Sequence, residues 1–324
     1  MKVLLLGDPH IRHTHLTEGV ALLSWIERLL VELQPDLLVN LGDTMDSHAV
    51  IRSEVLCSFD AHIRRVQDLN VDHVVVLGNH DMFRPNDATY HALRVFKGRK
   101  NLTIVDETVV RNDITYVPYL HDPKKWPQNL QGLVITHNTF VGADYGFKVA
   151  TDGIDLTSLT SDLVVSGHIH QRQSLDGVLY VGTPMAVTAA EVDQVKGVTL
   201  IDSDTLETQF IASPFPQWRS AAYEIGGALP ELNEHDRWVL TVKGTRAELK
   251  HLADLKSLQD LRRRCSMSIK IEPTDKEHSK RVNIVAPTVA GMVEQYIDRV
   301  YSGAVSKGDV KNSIKKALTE AGVE

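Results

Sequence analysis

The first third of the chain alternates short apolar runs with longer stretches whose apolar positions recur at helical spacing. Residues 2–6 read as a buried strand, and 17–33 carries Val20, Leu23, Ile26, Leu30 and Leu33 at helical period. A second strand follows at 37–41, a second helix at 53–69 and a third strand at 73–77. This β-α-β-α-β order predicts parallel strands joined by crossover helices. Beyond about residue 100 the apolar runs crowd together, at 102–105, 114–117, 133–137, 163–166, 178–181, 198–202 and 208–211. Their spacing predicts antiparallel pairing, for example across Asp176-Gly177. Mixed sheets packed face to face, with helices outside, fit the pattern.

The pattern breaks at Ser213-Pro214-Phe215-Pro216, where two prolines mark a linker. Strands are then predicted at 220–225, 238–243 and 266–272, with a helix at 246–261. A charged segment leads to two short helices, 289–301 and 310–321. The organisation predicted is therefore a domain at 1–212, a small α+β unit at 216–283 and C-terminal helices at 286–324. No internal repeat is visible.

Composition narrows the class. Of 324 residues, 43% are hydrophobic and 24% charged, which describes a globular chain able to bury a core and excludes disorder as its main state. No run approaches 18 apolar residues, so no membrane helix is predicted, and the apolar start at 3–6 is too short for a signal peptide. Cys57 and Cys265 form no disulfide framework or metal-thiolate spacing, which suits a cytoplasmic protein. The net charge of -7 is uneven. Residues 1–212 hold 27 acids against 17 Lys and Arg, whereas 213–283 hold 13 Lys and Arg against 10 acids. Acids in the first domain that served as metal ligands would have their charge offset by the ion.

The ionisable residues gather where predicted strands end. Asp8 and His10 follow the first strand, Gly42-Asp43-Thr44-Met45-Asp46 the second, and Gly78-Asn79-His80-Asp81 the third. His137 and Gly167-His168-Ile169-His170 follow later strands. Five such clusters should converge at one edge of the fold, where α/β proteins place their sites. Asp8, His10, Asp43, Asn79, His137, His168 and His170 offer nitrogen and oxygen donors without sulfur, a set suited to Mn²⁺, Fe²⁺ or Zn²⁺. Seven ligands exceed the need of one ion; two ions sharing a carboxylate would use them all.

Asp-x-His, Gly-Asp-x-x-Asp, Gly-Asn-His-Asp, a lone His and Gly-His-x-His together resemble the calcineurin-like metallophosphoesterases over about residues 1–212. The resemblance implies an α/β fold, a two-sheet αββα sandwich, here carrying a small α+β cap and C-terminal helices. It implies two metals, Mn or else Mg, Fe or Zn. Asp8, His10, Asp43 and His170 would hold one; Asp43, Asn79, His137 and His168 would hold the other, with Asp43 bridging. His80 would contact the phosphate and protonate the leaving oxygen, oriented by a carboxylate.

Protein phosphatases of this superfamily carry Arg after Gly-Asp-x-x-Asp; Ser47 stands here. The stretches 166–171, 179–184 and 196–202 resemble instead the SbcD and meiotic-recombination nuclease branch, and most of all its shorter tailed-phage members. That implies a DNA exonuclease or endonuclease acting in recombination, repair or degradation, in a bacterial or phage-infected cytoplasm. The implied partners are DNA, an SbcC-type coiled-coil ATPase docked on 286–324, and a second copy. The dimer contact is expected from helices at 53–69 and 86–96, through Val55, Phe59, Leu93 and Phe96. Two other readings are a small-molecule phosphodiesterase or phosphomonoesterase, and a metal-binding scaffold for the ATPase. Arg262-Arg263-Arg264 reads as a solvated helix end or a phosphate contact, and His48 receives no role.

Overall fold

The computed structural model describes residues 1–275 apart from 47 and 49, together with residue 297 and residues 305–320. It divides into two compact units, Met1–Pro273 and Thr274–Glu324.

In chain order the first unit contains β1 (Lys2–Leu6), α1 (Leu16–Leu33), β2 (Leu37–Asn40), α2 (Ser53–Asp68), β3 (Asp72–Val76), β4 (Met82–Arg84), β5 (Asp87–His91), β6 (Leu102–Val105), β7 (Val109–Arg111) and β8 (Ile114–Val117). It continues with β9 (Leu133–Thr136), β10 (Leu163–Ser166), β11 (Gln173–Leu175), β12 (Val178–Tyr180), β13 (Gly197–Asp202) and β14 (Thr208–Ala212). Last come β15 (Trp218–Glu224), β16 (Arg237–Gly244), α3 (Arg246–Leu249), α4 (Lys256–Arg264) and β17 (Ser266–Pro273).

Two six-stranded sheets make the sandwich, ordered β14-β13-β1-β2-β3-β6 and β11-β12-β10-β9-β8-β7. Alternation along the strands explains why they stack. Val3 and Leu5 of β1 face inward and meet Ile135 of β9 and Val165 of β10 in the core between the sheets. Leu4 and Leu6, one residue out of phase, face α1 and pack on Leu22, Trp25, Ile26 and Leu29. Val20, expected on the buried face of α1, lies on its solvent side. Residues 117–180 cover the outer face of the second sheet with a cluster built on Trp126, Phe140 and Tyr180.

β1, β2, β3 and β6 are parallel, as their crossover helices predict. The second sheet departs from the expected antiparallel pairing. β8, β9, β10 and β12 run parallel, and only the edge strands β7 and β11 are antiparallel. The Asp176-Gly177 hairpin is present, with Gly177 at φ 71°. The expected single helix at 246–261 is divided into α3, a 3-10 turn and α4. With β15, β16 and β17, all parallel, these helices form a small layer around Tyr223, Leu240, Val242, Leu258 and Leu261.

The segment 86–96, expected as a helix, is instead β5 followed by a 3-10 turn at Ala92–Phe96. Val55, Phe59, Leu93 and Phe96 are all buried in one cluster of the chain's own core. They are not the spare apolar surface that a second copy would cover. In the second unit α5 (Lys307–Glu320) covers most of the expected helix at 310–321. The expected helix at 289–301 lies, residue 297 excepted, outside the described residues.

Candidate metal centre

The carboxyl ends of β1, β2, β3, β9 and β10 meet at one end of the sandwich, and the loops leaving them carry every candidate ligand. The backbone there is unusual. Asp8, His10, Asp43 and His168 all have positive φ, between 37° and 76°, a region that costs a non-glycine residue of order 1–3 kcal/mol. The surrounding packing holds them there. A Cβ at Gly42 would lie 2.3 Å from His137 Nδ1, and one at Gly78 would lie 2.2 Å from the Asp43 nitrogen. Glycine at these two positions lets the loops close on one another.

Two donor groups form, Asp8 with His10 and His170, and Asp43 with His137 and His168. His10 Nε2 lies 3.1 Å from His170 Nε2, and His137 Nε2 lies 3.3 Å from His168 Nδ1. Asn79 Oδ1 joins the second group, 3.2 Å from His137 Nε2. Asp43 Oδ2 stands between the groups, 3.3 Å from His137 Nε2 and 3.8 Å from His10 Nε2. Paired imidazole nitrogens aimed at each other can share one proton per pair or converge on one cation. The donor set fits two hard-to-borderline divalent ions, with Asp43 placed to belong to both. Asp46 adds a third grouping with His10 and His80, its Oδ1 lying 3.2 Å from His10 Nδ1.

The far nitrogens fix the tautomers. His137 Nδ1 donates to the Leu41 carbonyl at 2.7 Å, which leaves Nε2 as its ligand atom. His170 Nδ1 donates to Glu191 Oε1 at 3.1 Å, which does the same. Electrostatics agree. Burial disfavours a charged His137, but the Asp43 and Asp8 carboxylates outweigh it and raise its pKa to about 9. The centre thus draws positive charge into a buried place. For His168 the balance is reversed: burial and then the neighbouring His137 outweigh Asp43 and lower its pKa to about 3, so it stays a neutral donor. For Asp8 burial dominates and raises the pKa.

His80 lies beside this arrangement, half-buried. Its backbone N–H donates to Asp43 Oδ1 at 2.8 Å, and its Nδ1 lies 3.3 Å from the Asp46 carbonyl oxygen. Its orienting partner is therefore a backbone carbonyl, where a carboxylate was expected. His48 stacks on it, ring centroids 4.3 Å apart, and lies 3.3 Å through Nδ1 from the Met82 carbonyl. Burial, and after it His10 and His48 against the opposing Asp43, lower the His80 pKa.

Three further residues hold the site. Buried Asp81 accepts from Gly78 N at 3.0 Å and Met45 N at 3.2 Å, tying two ligand loops together. Burial, then Asp43, raise its pKa to about 7. Glu191 and Lys196 are both buried and lie 2.5 Å apart. Lys196 also donates to the His170 carbonyl at 2.9 Å and Thr183 Oγ1 at 2.7 Å. Glu191 also closes a capping box with Thr188.

Sandwich and donor groups together describe a two-sheet metallophosphoesterase. The calcineurin-like phosphoesterase family model matches residues 1–172, more than half of the chain, and the chain belongs to that family. Among individual proteins it is similar to Exonuclease subunit 1 of Enterobacteria phage T4, 23% identical over 208 residues. That match covers 59% of this chain and 60% of the phage protein's length. It is also similar to the crystal structure of Pseudomonas putida nuclease MPE, at 20% identity and a TM-score of 0.32, over 64% of this chain and 87% of that one.

Proposed function

We propose that the chain is a metal-dependent DNA nuclease subunit that hydrolyses phosphodiester bonds at the centre around Asp43. The observation that carries the reading is the pair of N/O donor groups with Asp43 between them and a further histidine, His80, beside them. Asp8, His10, Asp43 and His170 hold one ion in this reading; Asp43, Asn79, His137 and His168 hold the other. Two bound divalent ions supply an activated water and neutralise charge on the phosphoryl oxygens. Mn²⁺ is the proposed metal, with Mg²⁺, Fe²⁺ or Zn²⁺ compatible with the same donors.

The chain's own residues do the rest. His80 holds a proton near the leaving oxygen, its ring kept in place by the Asp46 carbonyl and by His48. Asp81 fixes the loops that carry Asp43 and Asn79. Beside His10 and Asp46 opens a cavity of about 600 Å³ whose lining includes Arg12 and Arg52, cations suited to a polyanion. The phage exonuclease subunit that the chain resembles supports DNA as substrate and a multi-subunit assembly. In that assembly we place an SbcC-type ATPase on residues 286–324, the unit at 216–283 facing DNA, and a second copy of this chain across the groove at β4 and β5.

The test is purified protein with Mn²⁺ on linear DNA, bis-p-nitrophenyl phosphate and p-nitrophenyl phosphate. Cleavage of DNA and of the diester is expected. Activity on the monoester alone would overturn the nuclease reading in favour of a phosphomonoesterase.

A further inference from the structure

On the His168 side of the centre the chain makes a tight hairpin over residues 143–150. Ala143 and Ala150 are buried at its base and exchange backbone bonds with their surroundings; Ala150 N donates to the Ala143 carbonyl at 2.8 Å. Tyr145 N donates to the Lys148 carbonyl at 2.9 Å, and Gly146 at φ 86° turns the tip. Gln173 clamps the arm from outside, accepting from Asp144 N and donating to the Asp144 carbonyl, both at 2.7 Å. The hairpin is a well-braced element.

What it presents is out of keeping with a surface turn. Phe147 is 79% exposed at the tip. Its ring lies 6.1 Å from Tyr145, whose own ring lies 6.3 Å from His168 and whose hydroxyl is 2.9 Å from Thr139 Oγ1. Lys148 sets its ammonium 5.2 Å from the Tyr145 ring and 5.9 Å from the Phe147 ring. Rings therefore step outward from a candidate ligand to a largely exposed phenyl ring, with a cation beside them in a domain of net negative charge.

We infer that this hairpin is a stacking platform for an unpaired nucleobase next to the scissile phosphate, with Phe147 taking the base and Lys148 the adjoining backbone phosphate. This rests on the nuclease reading and specifies the form of its substrate. A polynucleotide is the occupant that suits both features, because it brings an anion and a flat aromatic face together at the spacing of one residue. A base within a duplex has both faces covered by its neighbours, so the platform selects a single strand or a frayed end. Being braced beforehand, it loses little conformational freedom on binding.

The experiment compares wild type with Phe147→Ala and Phe147→Trp in the full chain with Mn²⁺. The substrates are a single-stranded oligonucleotide and bis-p-nitrophenyl phosphate, which reports on the centre itself. The quantity read is the ratio of kcat/KM for the oligonucleotide to kcat/KM for the diester. Phe147→Ala should lower that ratio about tenfold, within the range that base–aromatic stacking supplies, and Phe147→Trp should restore it. Melting temperatures of the three proteins should agree, since Phe147 has little to pack on. An unchanged ratio in Phe147→Ala overturns the platform while leaving the nuclease reading intact. A wild type that turns over the diester but neither binds nor cleaves the oligonucleotide overturns both. An unchanged ratio with altered self-association in sedimentation would make the hairpin a protein contact, against the inference.

Discussion

At the scale of single residues, the proposed function gives His80 and Glu191 different parts at the centre, and metal content separates them. His80 adjoins the ligand candidate Asn79 but stands outside both donor groups, so His80→Asn should keep its metal and lose hydrolysis. General acid–base groups typically contribute about 10²–10⁴-fold, which sets the expected fall in kcat. Elemental analysis beside the Mn²⁺-dependent rate decides: a variant that loses both ions would make His80 a ligand. Glu191 acts through His170, holding its Nδ1 at 3.1 Å. Glu191→Gln should therefore weaken metal binding by about 10–100-fold, read by calorimetric titration of the metal-free protein with Mn²⁺. An affinity within twofold of wild type would leave Glu191 a purely structural partner of Lys196. The eight candidate residues stand out in the sequence because each follows a strand and most of their loops carry a glycine, and the structure brings them to one end of the sandwich. The sequence leaves Glu191 obscure, because the residue lies 21 positions beyond His170 and outside every strand-end cluster. Lys196 is obscured by its type, since a lysine is almost never fully buried unless paired, and no pattern announces the pair.

At the scale of elements, the contact of α1 and α2 with the first sheet contains a buried polar cluster that makes stability depend on pH. His73 of β3 sits 3.2 Å through Nε2 from Asn40 Oδ1 of β2. His62 of α2 has a partner for a proton in Glu27 of α1, 3.0 Å away, a carboxylate that Arg65 also approaches. His73 has no carboxylate, and its Nδ1 is buried without a hydrogen-bond partner. Burial, and then His62, hold its pKa well below the ordinary 6.5. The unfolded chain takes up a proton near pH 6.5 that the folded chain refuses. Stability from this group is complete above that pH and declines as pH falls below it, by up to about 1.4 kcal/mol per unit. Melting curves from pH 5 to 8 should show the decline in wild type and a shallower one in His73→Gln; parallel curves would remove His73 as the cause. The elements themselves are legible to within a residue or two in most cases. Strand direction in the second sheet is not read from apolar spacing alone. The stretches between β8 and β9 and between β9 and β10 each exceed the dozen or so residues that a parallel crossover needs. Their length, more than the crowding of strands, governs the pairing. β4 and β5 escape notice because each buries only one end residue, Met82 and His91, and so carries no alternating apolar pattern.

At the scale of the whole molecule, the proposed self-association has to use what the core leaves uncovered. Leu93 is fully buried, so Leu93→Asp should unfold the chain by placing an unpaired charge in the core. Phe83, Tyr90 and Val95 are exposed on the same side, around a groove that also includes Ile51 and Leu56. A two-fold contact there would use each residue twice, so Val95→Asp should give a folded monomer from a wild-type dimer. Sedimentation at micromolar concentration checks this, and a monomeric wild type would end the proposal. The order of strands has a further consequence, for how the protein is made. β1 lies between β2 and β13, with Lys2 opposite Asp202, so one of the first strands to leave the ribosome waits for a neighbour translated on the order of ten seconds later. The donor groups wait with it. Asp8 and His10 need His170, and Asp43 needs His137 and His168, before either group exists. A nascent or prematurely ended chain carries the early donors as loose side chains and cannot assemble the pair. On the proposed function, hydrolytic capacity would arrive only when the sandwich is nearly finished, and unfinished copies would be harmless to the nucleic acid around them.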